Sequence, residues 1–219
     1  EVSGAHDLIT RLDGTRHYIG NSRTMNTIKS GPWQYTLPVN YFKMAAGFAN
    51  EVGSPSLPTA ESVRKMMAEE DLWPIGDVWY YHDWLMGKWG DSPLIQGYQN
   101  GINRQLGESS GVDEFCRKAQ LLNYESYRAI FEGWNSKLFG SATGVLLWMS
   151  RPAWPSMVWQ TYSWDYETPG AYFGAKKACE PLHVQWNPLS RKVEVVNASL
   201  REYKNLTAKV CIYDLKGKK

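Results

Sequence analysis

Two hydrophobic patterns divide the chain near Pro181. Before it, short apolar runs alternate with longer amphipathic stretches, which predicts strands and helices in turn. After it, apolar and polar residues alternate one by one, which predicts antiparallel strands. These strands are expected at 183–186, 192–197 and 208–213. The pattern therefore predicts an α/β domain at 1–181 and the beginning of an all-β domain at 182–219.

The buried strands of the first domain are its most informative elements. Residues 45–50 are small and apolar and lead to Glu51, and residues 143–149 are continuously apolar, as expected for a parallel strand inside a sheet. Weaker strands are predicted at 17–20 and 33–35. Such a pattern indicates a (β/α)8 barrel, which takes about 250 residues. Residues 1–181 supply about three or four strands, so we expect part of such a barrel, cut from a larger protein.

Three helices are predicted between these strands. Thr59 can cap the first, a Ser-x-x-Asp capping box opens the second, and Pro169 stands at the first helical position of the third. In the second helix, Phe115, Ala119 and Leu122 should face inward. The expected bounds are about 59–70, 110–138 and 168–179.

Charge and cysteine usage exclude several classes of protein. Lys+Arg 24 against Asp+Glu 22 gives a net charge of +2 without basic clusters, which does not favour a nucleic-acid or membrane surface. The 4 His and 3 Cys have no metal-ligand spacing, so no metal or cofactor is expected. The odd count leaves at least one thiol unpaired within the chain, and Cys116 and Cys179 are expected to be buried on helix faces.

Aromatic residues are unusually numerous, with 11 Trp, 13 Tyr and 6 Phe. Many lie in segments rich in Gly, Pro, Asp and Asn, above all in the long irregular stretch 71–110, which is typical of a functional insertion or of one with short helices of its own. The alternative is a large aromatic core. Because the C–H groups of sugars pack on aromatic rings, we favour a carbohydrate-binding surface.

Two sequons, Asn197-Ala198-Ser199 and Asn205-Leu206-Thr207, predict N-glycosylation at Asn197 and Asn205. They favour passage through the secretory pathway and a vacuolar or extracellular location.

Several motifs resemble, in their order and spacing, the end of the catalytic barrel of glycoside hydrolase family 2. They lie at 13–16, 31–35, 47–53, 120–125, 144–155, 159–160 and 170–183. The segment Gly-Phe-Ala-Asn-Glu-Val-Gly at 47–53 resembles the nucleophile motif of that family. Asn50 is a departure, since relatives tend to carry Ser before the nucleophile.

The resemblance implies that residues 1–181 are the C-terminal part of a catalytic TIM barrel, about strands five to eight. It also implies that Glu51 is the nucleophile of a retaining glycosidase. An Asn-Glu pair can instead mark the acid/base at the end of strand four, in which case four more barrel strands should follow. One convincing strand, 143–149, follows before the second domain begins. Glu51 is therefore assigned to strand seven. The acid/base is then expected on another polypeptide of the same cleaved precursor, and a further polypeptide should complete the β-sandwich, which is immunoglobulin-like. Asp165 and Glu125 are expected to be structural or to support residues that touch the sugar, and the chain alone should be inactive.

Other residues are expected near the sugar. Tyr35 could orient the nucleophile's carboxylate or be a core tyrosine. Trp148 is predicted to form the floor of the sugar subsite, and Trp154 is a weaker candidate. His82 and Asp83 could bind sugar hydroxyls or lie in a surface loop.

The resemblance further implies endo cleavage of the Manβ1-4GlcNAc linkage of N-glycans or glycopeptides. The alternatives are exo-β-D-glucosaminidase or exo-β-mannosidase activity, and a non-catalytic carbohydrate-binding protein, which has no need for a carboxylate ending a buried strand. The Gly-x-Ser-x-Gly pattern at 107–111 does not follow a buried strand and is interpreted as chance.

Overall fold

The computed structural model describes residues 4–16, 18, 20, 31–83, 94–157 and 159–219. The helices are α1 (Ala5–Leu12), α2 (Pro38–Met44), α3 (Ala60–Arg64), α4 (Asp77–His82), α5 (Leu94–Leu106), α6 (Val112–Asn135) and α7 (Gly170–Ala178), with a 3-10 turn at Glu69–Asp71. The strands are β1 (Gly31–Pro32), β2 (Gly47–Gly53), β3 (Ala142–Leu147), β4 (Leu182–Asn187) and β5 (Lys192–Asn197). In the described residues, no helix is long and apolar enough to cross a membrane.

The first sheet is parallel, with the strand order β1-β2-β3. Both buried strands of the prediction are present, although β2 starts at Gly47 and continues past Glu51. The strand predicted at 33–35 is wrong, because pairing ends at Pro32 and Trp33 turns the chain with a φ of 67°. The strand predicted at 17–20 lies largely outside the described residues.

One face of this sheet packs against α2, α6 and α7. The residues on this face are Ala49, Val52, Ala142, Val145 and Leu147. As predicted, Phe115, Ala119 and Leu122 of α6 are buried. Burial of these aliphatic side chains removes apolar area from water, which holds the layers together.

The helix boundaries differ from the predicted ones. The first helix is much shorter, since α3 ends at Arg64, but Thr59 does cap it by accepting a hydrogen bond from Ser62 N at 3.3 Å. The capping box predicted for α6 is wrong, because the N-cap is Gly111 and has no side-chain cap. Ser110 N instead donates to the Glu114 carboxylate at 2.9 Å. Pro169 is the N-cap of α7 and not its first helical residue.

The aromatic insertion between β2 and α6 forms helices α4 and α5, and part of it is core. Trp79, Tyr98 and Ile102 are fully buried in a cluster with Phe115 of α6. For these side chains the core interpretation is correct and the interpretation as a binding surface is wrong.

The chain ends in an antiparallel hairpin, β4–β5, at the predicted place. Its polar face lies on α6, where Glu132 accepts hydrogen bonds from Arg128 Nε at 2.7 Å and, at its backbone oxygen, from Gln185 Nε2 at 3.0 Å. The buried His183 ring lies 2.9 Å from the same carboxylate. The strand predicted at 208–213 is wrong, because this segment is mostly exposed coil.

Cys116 is buried as predicted, whereas the prediction for Cys179 is wrong. Cys179 is exposed because it is the C-cap of α7, one residue beyond the last buried position, Ala178.

Helices α6 and α7 approach so closely that only glycine fits at the contact. A Cβ at Gly174 would lie 2.2 Å from the backbone oxygen of Tyr124. We expect Gly174→Ala to lower the free energy of unfolding by about 1–3 kcal/mol, because the helices must separate. The matched control is Gly97→Ala in α5, where a Cβ meets no atom within 4 Å. It should leave stability unchanged or raise it by up to about 1 kcal/mol. Urea unfolding of both variants measures this, and equal stabilities would contradict the packing.

Candidate active site

Glu51 lies near the carboxyl end of β2 and is half-buried. It is two residues short of the strand's end, not at the end as predicted. The ladder between β2 and β3 is irregular between Ala49 and Val52, which is where Glu51 stands. Because β1, β2 and β3 are parallel, their carboxyl ends meet at one edge, where the sites of α/β barrel enzymes lie.

Three tryptophans follow the strand ends at this edge. The Trp159 indole N–H donates to the backbone oxygen of Trp33 at 2.7 Å, and its own backbone oxygen accepts from Met149 N at 2.5 Å. The Trp33 and Trp159 rings meet edge to face at 4.9 Å. Trp148, the predicted sugar floor, is fixed by a bond from its N–H to Val52 O at 2.9 Å. Its side chain stays 43% exposed beside the strand that carries the carboxylate.

Gly53 makes this arrangement possible. A Cβ there would lie 2.3 Å from the backbone oxygen of Trp148 and 2.9 Å from Cβ of Trp159. The segments after all three strands therefore meet at a glycine, two residues beyond Glu51. Sequence reasoning did not assign Trp33 or Trp159 to the site, although both stand in motifs of the family resemblance.

A pair of side-chain amides fixes the loop that follows β2. Asn123 of α6 accepts a hydrogen bond from Leu57 N at 3.1 Å and donates to Leu57 O at 2.8 Å. Gln120 donates to Pro58 O at 3.1 Å and accepts from Gly170 N at 2.8 Å. We call Asn123 and Gln120 the amide clamp. The clamp ties the loop after Glu51 to α6 and α7. In the sequence, its two residues stood out only as part of the motif at 120–125 that carries the family resemblance.

Tyr35 packs in the β1–α2 connection. Its ring meets the Tyr98 ring edge to face at 5.6 Å, and its hydroxyl forms a hydrogen bond with Gln105. Burial of the ring raises the pKa of Tyr35. Among the described residues, no hydrogen bond joins it to Glu51, so the contacts favour the packing role over orientation of the carboxylate.

The structure brings His82 and Trp154 together, 6.0 Å apart with their rings nearly parallel. His82 Nδ1 lies 2.7 Å from the backbone oxygen of Pro155. His82 and Asp83 are buried at the end of α4, so the surface-loop interpretation is wrong, and Asp83 accepts a hydrogen bond from a backbone N–H of α5 at 2.9 Å. Trp154 is partly exposed and also meets the exposed ring of Tyr81 at 5.8 Å.

Two other carboxylates have structural surroundings. Asp165 accepts from Ser62 Oγ at 3.0 Å and from Lys65 Nζ at 2.9 Å. Burial opposes ionisation, but these two bonds outweigh it and lower the pKa of Asp165. Burial raises the pKa of Glu125, which lies along α6. In the part of the chain that the structure describes, no group of three or more His, Cys, Asp or Glu could hold a metal.

Both sequon asparagines are exposed. Asn197 ends β5, and its side chain donates to Arg201 O at 2.7 Å and accepts from Ser199 Oγ at 2.7 Å. Asn205 lies in the coil that follows, with a φ of 56°.

Comparisons with known proteins identify the family of the chain. The chain is 31% identical over 244 residues to mannosylglycoprotein endo-β-mannosidase of Lilium longiflorum, covering 99% of the chain and 24% of that relative. It is 36% identical over 200 residues to exo-β-D-glucosaminidase of Streptomyces avermitilis, covering 86% and 22%. The chain thus spans about a quarter of the length of these relatives. No family model matches it.

Solved structures give the same result. An exo-β-D-glucosaminidase structure has a TM-score of 0.68 and 32% identity, covering 80% of this chain and 21% of that one. A β-D-mannosidase of Dictyoglomus thermophilum has a TM-score of 0.71 at 22% identity over 89% of this chain and 25% of that one, which shows the fold alone. The similar proteins are glycosidases. The resemblance is therefore confirmed, and the chain belongs to glycoside hydrolase family 2.

The amide clamp is testable because Leu57 is buried. We expect Asn123→Ala to lower the free energy of unfolding by about 2–3 kcal/mol. The variant leaves Leu57 N without its partner and leaves Leu57 O with only the longer bond from Gln120 Nε2, at 3.3 Å. The control is Tyr98→Phe, which removes one hydroxyl bonded to Asn123 and to Ala119 O and should cost about 1 kcal/mol. Urea unfolding and hydrogen exchange at Leu57 N give the comparison. An Asn123→Ala loss no greater than the control's would contradict the clamp.

Proposed function

We propose that the protein containing this chain is a retaining glycosidase with Glu51 as its nucleophile. The observation that carries the proposal is a half-buried carboxylate near the carboxyl edge of a parallel sheet, in a chain similar to glycosidases over nearly its whole length. The Glu51 carboxylate attacks the anomeric carbon while a second carboxyl group protonates the leaving oxygen. Water then hydrolyses the glycosyl ester, and the second group takes its proton. The two groups should lie about 5–5.5 Å apart.

The exposed face of the parallel sheet supports residues 1–181 as the C-terminal part of a TIM barrel. Phe48, Leu146 and Trp148 are 39%, 53% and 43% exposed. A parallel sheet is normally covered on both faces, and closure with the other strands of a barrel covers this one. The β1, β2 and β3 strands then become strands six, seven and eight. Strands one to four of that barrel, the fourth of which carries the acid/base, lie outside the described residues.

The hairpin supports residues 182–219 as the start of an immunoglobulin-like β-sandwich. Its polar face lies on α6, while Val184, Trp186 and Val195 on the other face are 45%, 52% and 45% exposed. A sheet with an apolar outer face needs a second sheet over it. Strands outside the described residues supply that sheet.

The substrate proposed is the Manβ1-4GlcNAc linkage of N-glycans, from the activity in the name of the Lilium longiflorum relative. The second candidate is exo-β-D-glucosaminidase activity, favoured by the 36% identity to the Streptomyces avermitilis relative. The third candidate is a non-catalytic carbohydrate-binding role, which predicts sugar binding without any cleavage that depends on Glu51. The sequons support a secretory route to the vacuole or the cell exterior.

Replacement of Glu51 tests the proposal most simply. We expect the native, assembled protein to release a mannose-containing oligosaccharide from a Manβ1-4GlcNAc glycopeptide, and Glu51→Gln to lose at least about a thousandfold in rate, because the amide cannot form the glycosyl ester. The matched control is Glu70→Gln, at an exposed position, which should keep full activity. Products are followed by mass spectrometry.

The outcomes separate the candidates. Cleavage that survives in Glu51→Gln would contradict the nucleophile assignment. Release of glucosamine from chitosan oligomers, lost in Glu51→Gln while the glycopeptide stays intact, would favour the exo-glucosaminidase.

Glycosylation is tested by two independent variants at each sequon. In a protein secreted from a eukaryotic host, Asn205→Gln and Thr207→Ala should each remove the same glycan mass, because both destroy one sequon. Asn197→Gln and Ser199→Ala should do the same at the other. Intact-mass measurement before and after enzymatic deglycosylation reads this out. A secreted native protein whose mass does not change on deglycosylation would contradict the prediction.

A further inference from the structure

A cavity lies between the connection that follows β1 and the helix α5. Its volume is about 370 Å³, at the lower end of the range for ligand pockets. The lining residues are Tyr35, Thr36, Leu37, Asn40, Arg104 and Gln105. They come from the β1–α2 connection, the first turn of α2 and the last turn of α5.

The topology places this cavity at the same edge of the sheet as Glu51, the edge where the strands have their carboxyl ends. Tyr35 follows the carboxyl end of β1, and α5 belongs to the long connection that leaves the carboxyl end of β2. In α/β barrels these connections surround the substrate. The cavity therefore belongs to the connections at the carboxyl edge of the sheet, the edge near which Glu51 lies.

Internal hydrogen bonds hold the polar side chains of the cavity in place. Asn40 Nδ2 donates to Thr36 Oγ1 at 2.6 Å, and Gln105 Nε2 donates to Gly101 O at 3.2 Å and also bonds the Tyr35 hydroxyl. Arg104 Nε donates to a backbone oxygen of α5 at 3.2 Å. The amide oxygens of Asn40 and Gln105 and the terminal nitrogens of Arg104 have no partner among the described residues, so acceptors and donors both line the cavity.

The charge of the lining selects the ligand. Arg104 is the one charged group in the described lining, which contains no carboxylate. A protonated amino sugar would be repelled there, whereas the hydroxyl groups of a neutral sugar can pair with the amide oxygens and the guanidinium. The Tyr35 ring offers the apolar wall that a pyranose packs against.

We propose that this cavity is a subsite for neutral sugar units of an N-glycan, most simply mannose, beyond the linkage that is cleaved. This inference rests on the proposed function and deepens it. An exo-enzyme removing a terminal glucosamine needs no such subsite, so the cavity favours the endo-acting enzyme.

The test compares an extended and a minimal substrate with the assembled enzyme. In the Asn40→Ala/Arg104→Ala double variant, KM for a mannose-extended glycopeptide should rise about tenfold, the effect of one to two lost hydrogen bonds. Both kcat and KM for a Manβ1-4GlcNAc aryl glycoside should stay unchanged. Arg11→Ala, at an exposed arginine of α1, is the matched control and should change neither.

Equal changes for both substrates, or no change for either, would overturn the subsite while leaving the proposed activity intact. If the native protein cleaves neither substrate, the proposed function fails, and calorimetric titration with a linear mannose oligosaccharide decides the subsite alone. Weaker binding by the double variant than by the native protein would support it, and equal binding would overturn it.

Discussion

A parallel sheet needs apolar cover on both of its faces, and the described residues of this chain provide it on one. Helices α2, α6 and α7 cover Ala49, Val52 and their neighbours, and the contact is close enough to require glycine at the crossing of α6 and α7. The opposite face leaves Phe48 and Leu146 partly in solvent. This constraint connects the fold to the proposed function, because in the proposed barrel the strands that cover the open face also bring the second carboxyl group.

The candidate site depends on strand ends that are fixed before substrate arrives. Trp159 joins the segments after β1 and β3, Gly53 lets both approach, and the amide clamp anchors the loop that leaves β2. Glu51 therefore sits in an irregular stretch of strand whose surroundings are rigidly bonded. Catalysis by a positioned carboxylate needs such preorganisation, since small displacements of a reacting group are costly.

The hydrophobic pattern was sufficient for elements that bury a continuous or periodic apolar face. Strands β2 and β3, helix α6 and the β4–β5 hairpin belong to this group. The pattern failed at 208–213, because alternation describes the faces of a strand and not the partner that must pair with it. It also failed at His82 and Asp83, whose burial arises from tertiary contacts with Pro155 and α5. The contacts of the amide clamp could not be predicted, because Asn123 lies 66 residues from Leu57 in the sequence and Gln120 lies 62 residues from Pro58.

Covalent trapping of the nucleophile tests the central claim most directly. A 2-deoxy-2-fluoro mannosyl fluoride slows both steps of a retaining mechanism, so that the glycosyl-enzyme accumulates and can be digested and sequenced by mass spectrometry. With the assembled, active protein we predict one fluoromannosyl group on the peptide that contains Glu51. A label on a different carboxylate, with activity lost in step with labelling, would contradict the assignment of Glu51 and of the strand that carries it.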